Sequence, residues 1–253
     1  VACYWAIHAD DAPGTPNRVL PDGCTDLIVG VSGSAEPLVV GTMRTARVVP
    51  LSGPVDLFGV RFRPGCALPF LDTPLDELTD SRVPLDTLWG SSAEVVADAL
   101  APAGPEARAR RLDRVLQPRL AVMDGLRPGG DEVVAARAVD LMRRSRGGLG
   151  VRDLAAALGI GERRLQRAFD RSVGLSPKML GRVLRFRRAL REIERAGFET
   201  GRIRWAALAI AAGYADQPHF IREFRALAGV TPARYAAERC SVGFIQYEDA
   251  GRG

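Results

Sequence analysis

The chain has 253 residues and a mass of 27.2 kDa, which at roughly 100–200 residues per domain allows two domains or one large one. Its 47% hydrophobic and 26% charged residues suit a globular protein with a real core, and no stretch approaches the roughly 18–20 uncharged apolar residues of a membrane helix. Charge is uneven: residues 1–125 carry −5 and residues 126–253 carry +10, as expected where a sensing or partner domain is joined to one that binds a polyanion. Cys3, Cys24, Cys66 and Cys240 are far apart with no CxxC pair, which fits a reduced cytoplasmic chain better than a disulfide framework or a zinc site. The chain starts at Val1, which reads as a trimmed start, and its first residues lack the basic-then-apolar pattern of a secretion signal.

Residues 1–70 read as strand-rich. Val19 and Leu20 lead into the turn Pro21-Asp22-Gly23, followed by the apolar run Leu27-Ile28-Val29 and then Leu38-Val39-Val40. Between Val55 and Arg63, Val60 and Phe62 alternate with Arg61 and Arg63, the period of a half-buried strand, which Pro64-Gly65 stops. Residues 71–90 read as connections with a short helix at 74–79, and residues 91–100 and 105–122 as helices, the second opening at Pro105. The run from Gly125 to Gly130 reads as a linker.

After it the pattern is helical. Val134, Ala138, Leu141 and Met142 form one face of a helix at 131–145. Short helices follow at 151–158, ended by Gly159, and at 162–172, ended near Gly174. A long helix from Pro177 to about Ala196 repeats apolar residues at helical spacing and carries six arginines on the rest of its surface. A repeat is then visible. Gly213 lies 54 residues after Gly159; beyond the turn the offset becomes 55, pairing Leu165 with Phe220, Arg167 with Arg222, Phe169 with Phe224, and Gly174-Leu-Ser-Pro177 with Gly229-Val-Thr-Pro232.

A short helix, a glycine turn and a second helix make a helix-turn-helix. The second helix of the first copy buries Leu165, Ala168 and Phe169 and leaves Arg163, Arg164, Gln166, Arg167 and Arg171 free; the second copy offers Gln217, His219, Ile221 and Arg222. Arginine grips guanine O6 and N7, glutamine grips adenine N6 and N7, and arginine is also a phosphate ligand. A plain helical hairpin with a solvated basic face is an even alternative for one copy; two copies in register, in the basic half, disfavour it.

Residues 131–239 resemble the AraC/XylS family of bacterial transcriptional regulators. The strings that carry the likeness are Val151-Arg-Asp-Leu-Ala-Ala-Ala-Leu-Gly159, Glu162-Arg-Arg-Leu-Gln-Arg-Ala-Phe169, Gly174-Leu-Ser-Pro177, Ala212-Gly-Tyr-Ala-Asp-Gln-Pro-His-Phe-Ile-Arg-Glu-Phe224 and Gly229-Val-Thr-Pro-Ala-Arg-Tyr235. The resemblance implies an α+β chain: a β-rich domain with flanking helices over residues 1–125, a linker at 126–130, an all-α double helix-turn-helix of seven helices over 131–240, and a tail at 241–253. It implies that helices 162–172 and 217–228 enter successive major grooves of double-stranded operator DNA. The DNA-facing residues would be Arg163, Arg164, Gln166 and Arg167, then Gln217, Pro218, His219, Ile221 and Arg222. Gly161 stands where the family usually has a serine cap, and Pro218 where a small or polar residue is common. The N-terminal strings Tyr4-Trp5, Leu20-Pro-Asp-Gly-Cys-Thr-Asp-Leu-Ile28 and Gly59-Val-Arg-Phe-Arg-Pro-Gly-Cys66 resemble, more weakly, a sensor-like domain attached to some of these regulators. That implies a small-molecule effector or a homodimer contact, with RNA polymerase as a further partner.

Tyr4, Trp5 and Phe62 are candidates to line a pocket, although aromatic residues on strands are more often core. Only His8 and His219 occur, with no serine or cysteine placed beside them by motif. No phosphate loop, GxGxxG or metal-ligand cluster is present. No catalytic residue, metal or cofactor is expected. The competing reading is an N-terminal domain that senses redox state or metal through Cys24 and Cys66, or a small enzyme domain, fused to the same DNA-binding module.

Overall fold

The computed structural model describes residues 1–31, 36–93, 96, 100, 104–120, 130–145, 147–198, 201 and 203–241. Most of the linker expected at 125–130, half of the helix expected at 91–100 and nearly all of the tail lie outside these. The fold is α+β. A five-stranded antiparallel sheet has the order β1-β4-β2-β3-β5, with β1 at Cys3–Val19, β2 at Thr25–Gly30, β3 at Leu38–Val40, β4 at Arg47–Phe62 and β5 at Arg82–Pro84. Short helices α1 (Leu68–Leu71), α2 (Leu75–Leu78) and α3 (Leu85–Trp89) and the longer α4 (Pro105–Leu120) accompany it. Among the described residues seven further helices follow: α5 (Asp131–Arg144), α6 (Val151–Ala157), α7 (Glu162–Val173), α8 (Pro177–Arg195), α9 (Trp205–Ala212), α10 (Gln217–Ala228) and α11 (Pro232–Ser241).

The expected strands at 27–29, 38–40 and 55–63 lie in β2, β3 and β4. The 17-residue β1 was not legible, because Asp10, Asp11, Pro13, Gly14 and Pro16 read as strand breakers. Straight, it would be about 56 Å long at ~3.3 Å per residue. Yet the few residues between Val19 and Thr25 reach at most about 21 Å, and Thr25 pairs with Phe62, next to Arg61, the partner of Cys3. The β1–β4 ribbon therefore bends back on itself. Register shifts between Ala9 and Ala12 and between Pro13 and Pro16 supply the bulges that let it do so.

Strand alternation divides the sheet into two faces. Leu27, Val29, Phe58, Val60 and Phe62 pack under Leu68, Phe70, Leu71, Leu85, Leu112 and Leu116 of the helices. Tyr4 joins this face, stacking on Phe58 and donating its hydroxyl hydrogen to Asp113 of α4. Buried Arg108 ties α4 to β4 through a two-pronged bond to Asp56, at 3.1 and 3.3 Å. Trp5 points to the opposite face and lies against Gly59, where a Cβ would sit 2.4 Å from the indole ring. The aromatic residues considered for one pocket thus lie on opposite faces: Tyr4 and Phe62 on one, Trp5 on the other.

In the helical part α8 serves two cores. Its first half places Leu180 and Val183 among Ala135, Ala138, Leu154, Leu165 and Phe169; its second half places Phe186, Ala189, Leu190 and Ile193 among Leu208, Phe220, Phe224 and Tyr235. Pro177 and the Ser176 hydroxyl, which accepts from the Met179 amide at 3.1 Å, start this helix. The sheet's turn at Gly23 (φ +79°) meets α8, where a Cβ would come 2.7 Å from Leu180.

Candidate nucleic-acid interface

The repeat folds as two helix-turn-helix units, α6–α7 and α9–α10. Their second helices both contain 12 residues, start 55 residues apart and end at glycines in the left-handed conformation, Gly174 at φ 77° and Gly229 at φ 75°. Gly159 and Gly213 also take positive φ at the two inner turns, 68° and 91°.

On α7, Arg163 and Arg167 are exposed one turn apart, so they share a face. Gln166 lies on that side with its amide donating to Asp170 at 2.6 Å. The basic residues on the flank are engaged: Arg164 reaches Asp131 at 3.3 Å and Arg171 reaches Glu132 at 3.6 Å, holding α7 to α5. On α10, Pro218 and Arg222 are exposed and Gln217 half-buried, while Ile221 packs against the second core. His219 stands at the repeat position of Arg164 and is likewise occupied within the protein. Its amide donates to the Asp216 cap at 2.7 Å, its Nδ1 accepts from the Ala215 amide at 3.5 Å, and its ring meets Tyr214 edge-on. Burial pushes the Tyr214 hydroxyl up to about 12, so this residue stays neutral. The structure thus sets Arg163, Gln166, Arg167, Gln217, Pro218 and Arg222 on the outer sides of the two helices, leaves Ile221 half-buried against the second core, and turns Arg164 and His219 to local contacts.

Three supports were not read from the sequence. Asp216 caps α10 where Gly161 leaves α7 without a side-chain cap; an aspartate just before a helix start is a recognisable signal. Arg182 of α8 makes a two-pronged bond to Glu223 of α10, at 2.7 and 3.2 Å. Arg185 donates to the Gly147 carbonyl at 2.9 Å, beside the Gly213 turn. The last two span distant parts of the chain and leave no local signature.

Cys24 and Cys66 are free thiols. Burial, followed by the Asp22 carboxylate, pushes the Cys24 thiol well up, which disfavours the thiolate that redox chemistry needs. Asp26 and Asp22 instead hold Arg61, at 2.9 and 3.1 Å, and Trp5 donates to Asp26 at 3.2 Å. Among the described residues no group of three or more His, Cys, Asp or Glu is gathered for a metal ion, and no helix is long and apolar enough to cross a membrane.

Two duplicated helix pairs with outward arginines on their second helices define the class of helix-turn-helix DNA-binding proteins. Residues 154–238 match the helix-turn-helix domain family, and residues 1–84 match a domain of unknown function (DUF6597). The chain thus carries a helix-turn-helix domain of the DNA-binding kind, preceded by an additional N-terminal domain. Among solved structures it is similar to a DNA-binding transcriptional dual regulator from Escherichia coli K-12, with 24% identity, 42% of this chain and 96% of that one covered, and a TM-score of 0.34. It is also similar to ToxT from Vibrio cholerae O395, with 10% identity, 94% and 98% covered, and a TM-score of 0.47. No curated protein matches.

Proposed function

We propose that α7 and α10 read two successive major grooves on one side of an operator duplex. The observation that carries this reading is the pair of equivalent 12-residue helices, each exposing an arginine at the same repeat position, Arg167 and Arg222. Groove centres one turn apart lie about 34 Å from each other, and the 19 residues of α8 reach about 28 Å at ~1.5 Å each, so a single helix bridges nearly the whole interval. Arg163, Gln166 and Arg167 contact bases from α7, and Gln217, Pro218, Ile221 and Arg222 from α10. Arg164 and His219 become backbone neighbours.

Residues 1–125 act as a regulatory unit, their −5 charge keeping them off phosphate, while residues 131–240 carry the DNA affinity. A small-molecule effector or a second copy of the chain acts through the sheet, RNA polymerase is the downstream partner, and the protein works in the cytoplasm without enzymatic activity. The test uses the full chain and random-sequence DNA duplexes. Repeated selection should enrich one motif, and affinity for it should fall steeply as salt rises, because arginines displace condensed counterions. Enrichment of no motif, or binding indifferent to salt, overturns the reading.

A further inference from the structure

The sheet half reaches the two recognition helices at the same place on each. At the end of α7, Thr79 donates its hydroxyl hydrogen to the Gly174 carbonyl at 2.5 Å. A Cβ on Gly174 would meet the Leu75 carbonyl oxygen at 2.6 Å and the Thr42 hydroxyl at 2.8 Å. At the end of α10, the Ala46 amide donates to the Leu227 carbonyl at 2.7 Å and Arg18 donates to the Ala228 carbonyl at 3.0 Å. Arg18 also pairs with Glu238 of α11 at 3.5 Å. Gly174 and Gly229 are equivalent in the repeat, so both recognition helices offer their otherwise unfilled last carbonyls to the same body. A cation suits the negative end of α10.

The two contacts are joined by very little chain. Thr42 stands at one and Ala46 at the other, and four residue steps span at most about 14 Å. The segment is pinned along its length. Asp80 donates its amide to the Thr42 carbonyl at 2.8 Å and accepts from the Arg44 amide at 2.8 Å and the Arg44 guanidinium at 3.2 Å. Thr42 and Met43 are buried, 1% and 8% exposed. Within the helical part α8 bridges the two helix-turn-helix units, and this segment adds a second, direct brace between the ends of α7 and α10. With it the joint becomes a closed frame.

We propose that Thr42–Ala46 is a strut, and Thr79 and Arg18 positioning residues, that fix the separation and twist of the two recognition helices and so determine which half-site spacing the protein accepts. The proposal rests on the reading that α7 and α10 both engage DNA, and one arm of its test does not depend on that reading. In a full chain whose native cysteines are replaced by serine, nitroxide labels at Glu162 and Ala226, both exposed on the two helices, report their distance without DNA. The parent chain should give one narrow distribution. Thr79→Val combined with Arg18→Met should broaden or shift it, and restoring a hydroxyl with Thr79→Ser in place of valine should narrow it again. Each single variant is measured as well, so a misfolded double variant still leaves two readings. An unchanged distribution in folded variants overturns the strut.

The second arm takes the duplex selected by the natural chain and inserts or deletes one base pair between its half-sites. The natural chain should lose at least about tenfold in affinity and the double variant less than about threefold. Equal losses overturn the strut. If selection enriches no motif, the DNA reading fails while the distance arm still judges the strut.

Discussion

Arg61 shows how much one side chain carries in this fold. It sits on the face of β4 opposite the helices, bridging Asp26 of β2 and Asp22 of the turn, with Trp5 also donating to Asp26. Burial raises the Asp26 carboxyl above its usual range even though the Arg61 charge opposes the rise. Removing Arg61 leaves two carboxylates with little solvent, so Arg61→Met should cost about 3–5 kcal/mol at neutral pH. The pH dependence follows from the sign of the Asp26 shift. A carboxyl whose folded pKa exceeds its unfolded value of about 3.9 binds more protons when folded, so folded stability is lost as pH rises through that interval. The stability deficit of the variant relative to the natural chain should therefore shrink as pH is lowered toward about 4. Urea unfolding of both proteins across pH measures it, and a deficit that widens in acid contradicts the account. The sequence presented Arg61 only as the polar half of an alternating strand; its partners come from β2 and a turn.

The two recognition helices have the same length and repeat positions but different starts. Asp216 accepts the His219 amide at 2.7 Å, whereas Gly161 has no side chain to do so. Asp216→Ala should cost about 0.5–2 kcal/mol, while Gly161→Ser should gain only a few tenths, because glycine is itself a tolerable cap. Thermal melts of the two variants give the comparison; a larger effect at Gly161 than at Asp216 would show that the caps are not what distinguishes the helices. The repeat also diverges beneath them. Ala168 is fully buried in the first unit, and its counterpart Glu223 takes Arg182 from the bridging helix. The glycine turns and the apolar spacing made both helices legible, since each is a local pattern. The Arg182–Glu223 pair joins positions 41 residues apart, and nothing local announces it.

At the scale of the whole molecule, the proposed reading of DNA gives the two units unequal power. The first presents Arg163, Gln166 and Arg167, which suit base edges, and the second sets Pro218 and Ile221 at the positions matching Arg163 and Gln166, where only apolar contact such as a thymine methyl is available. Arg167→Ala should therefore cost about 1–3 kcal/mol and relax base preference in one half-site, whereas Arg222→Ala should weaken binding more evenly across sequences. Base-by-base binding profiles decide; discrimination lost on changing Arg222 and kept on changing Arg167 would reverse the assignment.

The helical part was readable almost to the residue, with 162–172 expected and Glu162–Val173 found, 131–145 expected and Asp131–Arg144 found. Its turns, caps and core faces are set by residues within one or two helical turns, and duplication states the pattern twice. The sheet was readable only where strands alternate cleanly. β1 was hidden because its breakers become bulges once β4 pairs with them, and Tyr4 and Trp5 could be sorted to opposite faces only after register was known. The meeting of Thr42–Ala46 with the ends of both recognition helices was beyond sequence altogether. The Ala46 amide meets the Leu227 carbonyl and the Thr42 hydroxyl lies beside Gly174, groups with no local signature, so only the folded chain brings them together.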